Sequence, residues 1–468
     1  MQLTQWLLNL LNNKKAYYTF VAFTILSTCA LFYINLRITT NDEAMYINYA
    51  KGLHVGRYSY WYFLKDYVPD TFRNPGFPFF IYILSFITTS PAFIKIVQLI
   101  LFFLALYLMM KLLNRYDKQY ILKNIFLLFL NANFVILAYP GYVFPETLMI
   151  LLITLIVYIE IIYKEETWKK VLVLCLLYAI SFQVRPIVLF LPFFRFFYIL
   201  VYAKKTTFLK NVTFIFLFIL SLMPYAAWNY KHHHQLKITP LEGGGGVMYL
   251  GYWSPKMVGY REDKYWLNVT PKDAFINFSD ETDRDKNVEM FLQEWDSIEQ
   301  LCKPYFTMKD SIHLSKMKEN RALFVTLNGK YTTEREKILK KLAFKHYLED
   351  WQYTLKLKTY SFFRLWYTGI PEKALTKFSL SYSMPLILAF LGAFISLCLF
   401  LVYFLYCLIK RRDILVDLAF PLLLCLYFVT LHLPFGIQSR YTIPVRILYL
   451  FAISIMIFKI HFNKQEKS

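Results

Sequence analysis

Two adjacent carboxylates, Asp42 and Glu43, stand in the stretch TTNDEAMYINYAKGL, directly after the first long apolar run. A carboxylate at the edge of a membrane-crossing segment is costly unless water, a partner or a substrate meets it, so it marks a candidate site. The chemistry open to it is proton abstraction, since a carboxylate within hydrogen-bond reach of a hydroxyl can serve as general base. The same residues also read as a helix start. Thr40 and Glu43 have the T-x-x-E spacing of a capping box, and acids suit a helix's positive end. Neighbouring side chains project differently, so the two acids should not share one task.

More polar residues stand at the boundaries of later apolar runs: Arg73 in TFRNPGFP, Glu146 in YPGYVFPE, Arg185 in QVRP, Trp228-Asn229-Tyr230 with His232 to His234, and Arg440-Tyr441 in SRYTIP. Each has a plain structural reading. The arginines can snorkel to an interface, and Glu146 after Pro145 can be a first-turn acid. Consecutive histidines do not point one way, so the His run reads as loop before metal site. Gly243–Gly246 lacks the spacing and the lysine of a phosphate loop and reads as a turn. Taken together on one face, two carboxylates and three arginines beside prolines imply a cavity for something both hydroxylic and anionic.

These residues need a membrane scaffold. A 57% hydrophobic content and a mean hydropathy of +0.39 over 468 residues argue against soluble domains and for an all-α polytopic membrane protein. Candidate crossings run near 16–36, 92–113, 120–139, 142–163, 169–183, 186–202, 206–228, 383–409, 413–432 and 441–459, about ten by length and hydropathy. The first follows Lys14 and Lys15 and reads as a signal anchor. The net charge of +21 lies in short links between apolar runs, which reads as topology and not as nucleic-acid binding. Six scattered cysteines indicate neither a disulfide framework nor a zinc site.

The short apolar stretch 75–89 decides the parity. If it lies on the surface, the links Lys111/Arg115/Lys118/Lys123, Lys164/Lys169/Lys170, Lys204/Lys205/Lys210 and Lys410/Arg411/Arg412 and the Lys459/Lys464/Lys467 tail share the side of Lys14. Both termini are then cytoplasmic, and the polar set faces outward. Three parts follow: a transmembrane module over 1–228 with an outer loop 37–91, a large outer loop 229–380, and C-terminal transmembrane helices over 381–468. Within the large loop, 229–330 reads as irregular, while 333–367 reads as helical. Thr333 and Glu336 have capping-box spacing there, and Leu339, Ala343, Tyr347, Trp351 and Leu355 form a stripe.

In order, DEAMYINYA, RNPGFPFF, FPETL, VRPIV, PYAAWNY and SRYTIP resemble the motif series of the C-type (GT-C fold) membrane glycosyltransferases, specifically the protein O-mannosyltransferase and lipid A aminoarabinose transferase superfamily. The resemblance spans roughly 16–232 and 383–459, while 251–330 carries no matching motif. It implies a transferase in the cytoplasmic membrane that moves a sugar from a polyprenyl-phosphate carrier to an acceptor hydroxyl on a lipid, glycan or protein outside. It also implies Asp42 as general base with Glu43 beside it. Tyr46, Arg73, Glu146, Arg185, Asn229, Tyr230, Arg440 and Tyr441 would bind substrate, with Arg73 favoured for the phosphate. No cofactor is implied and no metal ligands are indicated, a divalent ion being left open. The other readings are a polymerase or ligase of lipid-linked glycans, and a flippase or transporter. Transport should place charges deep within spans, whereas the polar set here gathers on one face.

Overall fold

The computed structural model describes residues 9–38, 40–70, 72–202, 208–262, 267–268, 281–307, 329–366, 380–435 and 439–462. Lys204, Lys205, Lys464, Lys467 and much of 251–330 lie outside them.

Helix α1 (Lys14–Asn35) starts where the Asn13 side chain accepts the Lys15 N–H at 2.7 Å. Helix α2 (Asn41–His54) starts where Thr40 Oγ1 accepts the Glu43 N–H at 3.2 Å, the N-cap its sequence predicts. Helix α3 (Gly76–Ser85) has ten residues. At about 1.5 Å per residue it is half the length of a crossing, as expected for a surface or re-entrant helix. There follow α4 (Pro91–Tyr116), α5 (Ile121–Ala132), α6 (Val135–Ala138), α7 (Pro145–Ile162), α8 (Trp168–Val184), α9 (Leu191–Tyr202) and α10 (Phe208–His233).

The next region holds α11 (Gly244–Trp253), α12 (Glu281–Cys302), α13 (Gly329–Glu349) and α14 (Trp351–Trp366). The chain then returns through α15 (Leu380–Lys410), α16 (Arg412–Asp417), α17 (Ala419–His432) and α18 (Ile443–His461). The described strand pairing is a two-residue one, Arg261–Glu262 against Leu267–Asn268.

Among the described residues six helices are long and apolar enough to cross a membrane, and the chain is a multi-pass membrane protein. They are Lys14–Asn35, Pro91–Tyr116, Pro145–Ile162, Phe208–His233, Phe390–Lys410 and Arg440–His461. The expected crossing at 120–139 is two apolar helices bent by 71° at a short break, which counts as a seventh span if the pair crosses as one. The bend has a local cause. Asn133 gives its side-chain amide to the Phe129 carbonyl and to Ser396, and accepts the Tyr449 hydroxyl, so it competes with the helical ladder where α5 ends. The expected crossings at 186–202 and 413–432 are likewise broken into short pieces, Pro186 opening a 3-10 turn before α9 and Leu418 separating α16 from α17.

Helix α18 is the axis of the bundle. In its spanning window 83% of residues are buried, against 11% in α1, which therefore stands at the periphery.

A second charged cluster lies at the far end of α7, about 21 Å from Glu146 by helical rise. Arg195 reaches Glu160, Glu166 at 2.8 Å and Asn211 at 3.0 Å, while Lys170 reaches Glu160 at 2.8 Å and Glu166 at 2.6 Å. The sequence reading, which took Lys170 as part of a basic link and gathered the candidate site on the other face, did not anticipate it. Two cations and two anions neutralise one another there, and the cluster ties α7, α8, α9 and α10 together. Arg195→Met leaves two acids short of a partner and should cost about 3–5 kcal/mol. Thermal unfolding of the detergent-solubilised protein measures it, and an unchanged midpoint would remove the clamp from the account of stability.

The 229–380 region departs most from expectation. It builds its own core from Tyr249, Trp253, Phe291, Ile298, Leu339 and Ala343. Helix α12 was expected to be irregular, yet Phe291, Ile298 and Cys302 give it a buried face beneath a highly charged surface. The Thr333–Glu336 capping box does not form. Helix α13 begins earlier, at Gly329, and Glu336 instead accepts the N–H groups of Gly245 and Gly246 at 2.6 and 3.3 Å, capping α11. The glycine run is thus a helix start, and a Cβ on Gly245 would stand 2.2 Å from the Glu336 carbonyl oxygen. The expected stripe also breaks. Leu339, Ala343 and Tyr347 are buried, but the chain restarts as α14 and turns Trp351 and Leu355 outward, burying Leu357 and Leu365.

Candidate active site

Helix α2 presents its first turn to the ends of α7, α8 and α18, and this convergence builds the site. Asp42 Oδ1 lies 3.1 Å from Arg73 Nη2, and Asp42 Oδ2 lies 2.8 Å from Arg440 Nη1. Arg73 comes from the loop before α3, and Arg440 from a 3-10 turn, Ser439–Thr442, before α18. Burial pushes the Asp42 carboxyl up, but Arg440 and Arg73 outweigh it and hold the group below its ordinary range. Asp42 is therefore ionised at neutral pH.

Glu146, in the first turn of α7, pairs with Arg185 at the end of α8 and lies 3.9 Å from Arg440 Nε. Arg440 thus touches both acids and joins the two halves of the site. Three guanidinium groups face two carboxylates, so the cluster carries a net charge of +1 from these five residues. Asp42, Arg73 and Arg440 each keep between 22% and 24% of their side-chain surface open, while Glu146 has none. The surplus positive charge is on the accessible side, where an anion can reach it.

Aromatic rings fix the arginines. Arg73 stacks over Phe72 at 4.4 Å and over Tyr46 at 5.4 Å, and Tyr46 packs edge-on against Phe77 of α3. Arg440 lies over Phe144 at 5.1 Å, and Arg185 is 6.0 Å from the ring of Tyr441, which stacks on His432. Planar guanidinium groups held this way lose little further entropy on binding a planar or tetrahedral anion.

Glu43 faces the other way. It is fully buried, accepts the Val143 N–H at 2.8 Å and lies 3.6 Å from Lys95 Nζ. Lys95 in turn donates to the carbonyls of Asn35, Leu36 and Ile38 at the end of α1. Burial raises the Glu43 carboxyl, with Val143 and Lys95 pulling it back. The pair staples α1, α2, α4 and the turn before α7, so Glu43, which the sequence offers both as a second catalytic acid and as the helix-start acid that supports Asp42, has the contacts of a support. Lys95→Met should destabilise the fold by about 3–5 kcal/mol through the orphaned carboxylate. Lys95→Met combined with Glu43→Gln should recover part of that loss, a result denaturation of the two variants decides.

Asn229 and Tyr230 are not brought to the cluster. Asn229 is buried and donates to the carbonyls of Lys237 and Thr239, tying off the chain after α10, and Tyr230 is exposed and edge-on to His234. The residue that sequence reasoning missed is Asp70, three positions before Arg73. Its carboxylate accepts the N–H groups of Phe72 and Arg73, each at 2.8 Å, and the Tyr49 hydroxyl. The D-x-F-R spacing of an Asx turn was its only signal. Behind this loop is a cavity of about 740 Å³, walled by Tyr58, Tyr67, Pro75, Tyr225, Trp228 and His232.

Compared with family models, with curated proteins and with solved structures, the chain matches none. The site's chemistry therefore rests on its own geometry.

Proposed function

We propose that the chain is an integral membrane glycosyltransferase that takes a sugar from a polyprenyl-phosphate carrier and passes it to an acceptor hydroxyl. In this reading it has a GT-C type architecture of about ten crossings, lies in the cytoplasmic membrane with both termini cytoplasmic, and works on the outer face. The observation that carries the reading is the bridge Arg73–Asp42–Arg440, continued to Glu146 and Arg185, at the ends of apolar helices. It combines one ionised, accessible carboxylate with a surplus of guanidinium groups, the pairing that hydroxyl activation and phosphate departure both require.

The proposed step is a single displacement. Asp42 takes the acceptor's proton as the hydroxyl oxygen bonds to the anomeric carbon, and the bond from that carbon to the phosphate oxygen breaks with its electron pair. The configuration inverts. The leaving polyprenyl phosphate gains negative charge, which Arg73 and Arg440 offset bidentately. Both arginines now occupy the Asp42 oxygens, so a phosphate that draws them away also frees a lone pair for the proton. Arg185 and the wholly buried Glu146 keep Arg440 in reach.

The test is transfer itself. Membranes containing the protein are incubated with a panel of radiolabelled polyprenyl-phosphate sugars, and the label is followed into lipid, protein and polysaccharide. Movement of one label, dependent on the chain, is the expected result. Transport of an intact lipid-linked sugar across the bilayer with no covalent transfer would overturn the proposal.

A further inference from the structure

We propose that Asp70 is a positioning residue whose buried carboxylate holds the Arg73 peptide so that the Arg73 guanidinium can grip an anionic headgroup. This rests on the functional reading for the identity of the headgroup, though not for the positioning itself.

The Arg73 peptide is gripped from both ends. Asp70 Oδ2 accepts the N–H groups of Phe72 and Arg73, and the Arg73 carbonyl accepts the hydroxyls of Tyr58 at 2.8 Å and Tyr225 at 3.1 Å. Asp70 is itself clamped. Its other oxygen takes the Tyr49 hydroxyl, its N–H donates to the Tyr58 carbonyl at 3.2 Å, and its carbonyl lies 2.7 Å from His233 Nε2. The carboxylate, on a residue 1% exposed, thus takes Tyr49 of α2 and two N–H groups of the loop between α2 and α3, while α10 holds the backbone of the same turn through His233 and Tyr225. A side chain placed only to close a turn needs no charge. An amide or hydroxyl would suffice, at far smaller desolvation cost.

The ionisable groups facing Asp70 are Tyr49 from α2, Tyr58, Tyr67 and Arg73 from the loop, and Tyr225 and His233 from α10. Arg73 is the cation among those that interact with the carboxyl. Desolvation is the largest influence and, against the hydrogen bonds and Arg73, lifts the Asp70 carboxyl to about 6. The folded value exceeds the ordinary 3.8. The ionised form therefore lowers stability above about pH 6, and stability returns as pH falls through that value. Charge at Asp70 is kept against stability, which favours a role in the site. As pH falls from 7 to 5 the carboxyl takes up a proton and becomes a weaker acceptor for the two N–H groups.

Two measurements on the full-length protein in detergent test this. Amide hydrogen exchange at pH 7.5 needs no substrate: the Phe72 and Arg73 amides should exchange at least tenfold faster in Asp70→Ala than in the wild type, and equal rates overturn the positioning. Binding of a polyprenyl methyl phosphate, a diester that keeps a single negative charge over the whole range, is then titrated from pH 7.5 to 5. Wild-type affinity should fall about tenfold through a midpoint near 6. Asp70→Asn should bind weakly at every pH, yet melt no lower than the wild type at pH 7.5. A parallel loss of affinity and melting temperature in Asp70→Asn, or a wild-type pH profile retained by it, overturns the proposal. Wild-type protein that binds no polyprenyl methyl phosphate, with the exchange result intact, overturns the functional reading alone.

Discussion

Asp42→Asn should lower the turnover of sugar transfer by about 10²–10⁴, the range a well-placed general base supplies. The substitution keeps the shape of the side chain and the start of α2, since the cap is made by Thr40 and the anchor by Glu43 and Lys95. Folding and insertion should be unaffected. Asn cannot take a proton from the acceptor, and its amide nitrogen turns a donor toward one of the two guanidinium groups that Asp42 now binds. Donor affinity should hold or rise, because the arginines lose an anionic competitor for the phosphate. The signature is a collapse of kcat with donor Kd unchanged or lower. Full activity in a correctly inserted variant would sink the base assignment. The wild-type acid limb should not report Asp42, whose carboxyl stays ionised below its ordinary range. It should report Asp70, which titrates near 6.

The sequence made this cluster legible to an unusual degree, for a physical reason. Asp42, Arg73, Glu146, Arg185 and Arg440 each stand where an apolar run ends, and charges at such places have few plain roles to play in a bilayer. Parity then put them on one face, and the structure brings all five within one chain of ion pairs. Asn229 and Tyr230 also stand at such an end, but an amide can be spent on loop carbonyls and a tyrosine on an interface, so position alone misplaced them. Side chains that act across long separations were not legible. Glu336 caps a helix start 91 residues away, Glu43 meets a backbone N–H 100 residues on, and Asp70 matters only because Tyr49 and His233 fold onto it. The Arg195 cluster was hidden differently. Its Lys170 read as part of a basic link, and Arg195 lay inside an apolar run, until the acids Glu160 and Glu166 were seen buried beside them.

Arg440→Ala should be the second most damaging change, lowering transfer by about 10²–10³, as loss of one preorganised charge-stabilising donor does. Arg440 is held by its position before α18, the most enclosed of the described spanning helices, and by the face of Phe144, so its guanidinium is kept within a short swing of the incoming phosphate before substrate arrives. It is the residue in contact with both Asp42 and Glu146. Its removal leaves two arginines against two acids, and the surplus charge of the cluster falls from +1 to zero. An anion then has to enter a neutral site, and the leaving phosphate loses a partner in the transition state. Donor affinity and kcat should both fall, in contrast to Asp42→Asn. Arg440→Lys separates charge from geometry. It restores the +1, but a single ammonium cannot span the two carboxylates as a planar fork does. Recovery of donor affinity without recovery of kcat is the outcome expected of that variant. Full recovery of both would mean that Arg440 acts by charge alone, and wild-type rates in Arg440→Ala would remove it from the leaving-group role.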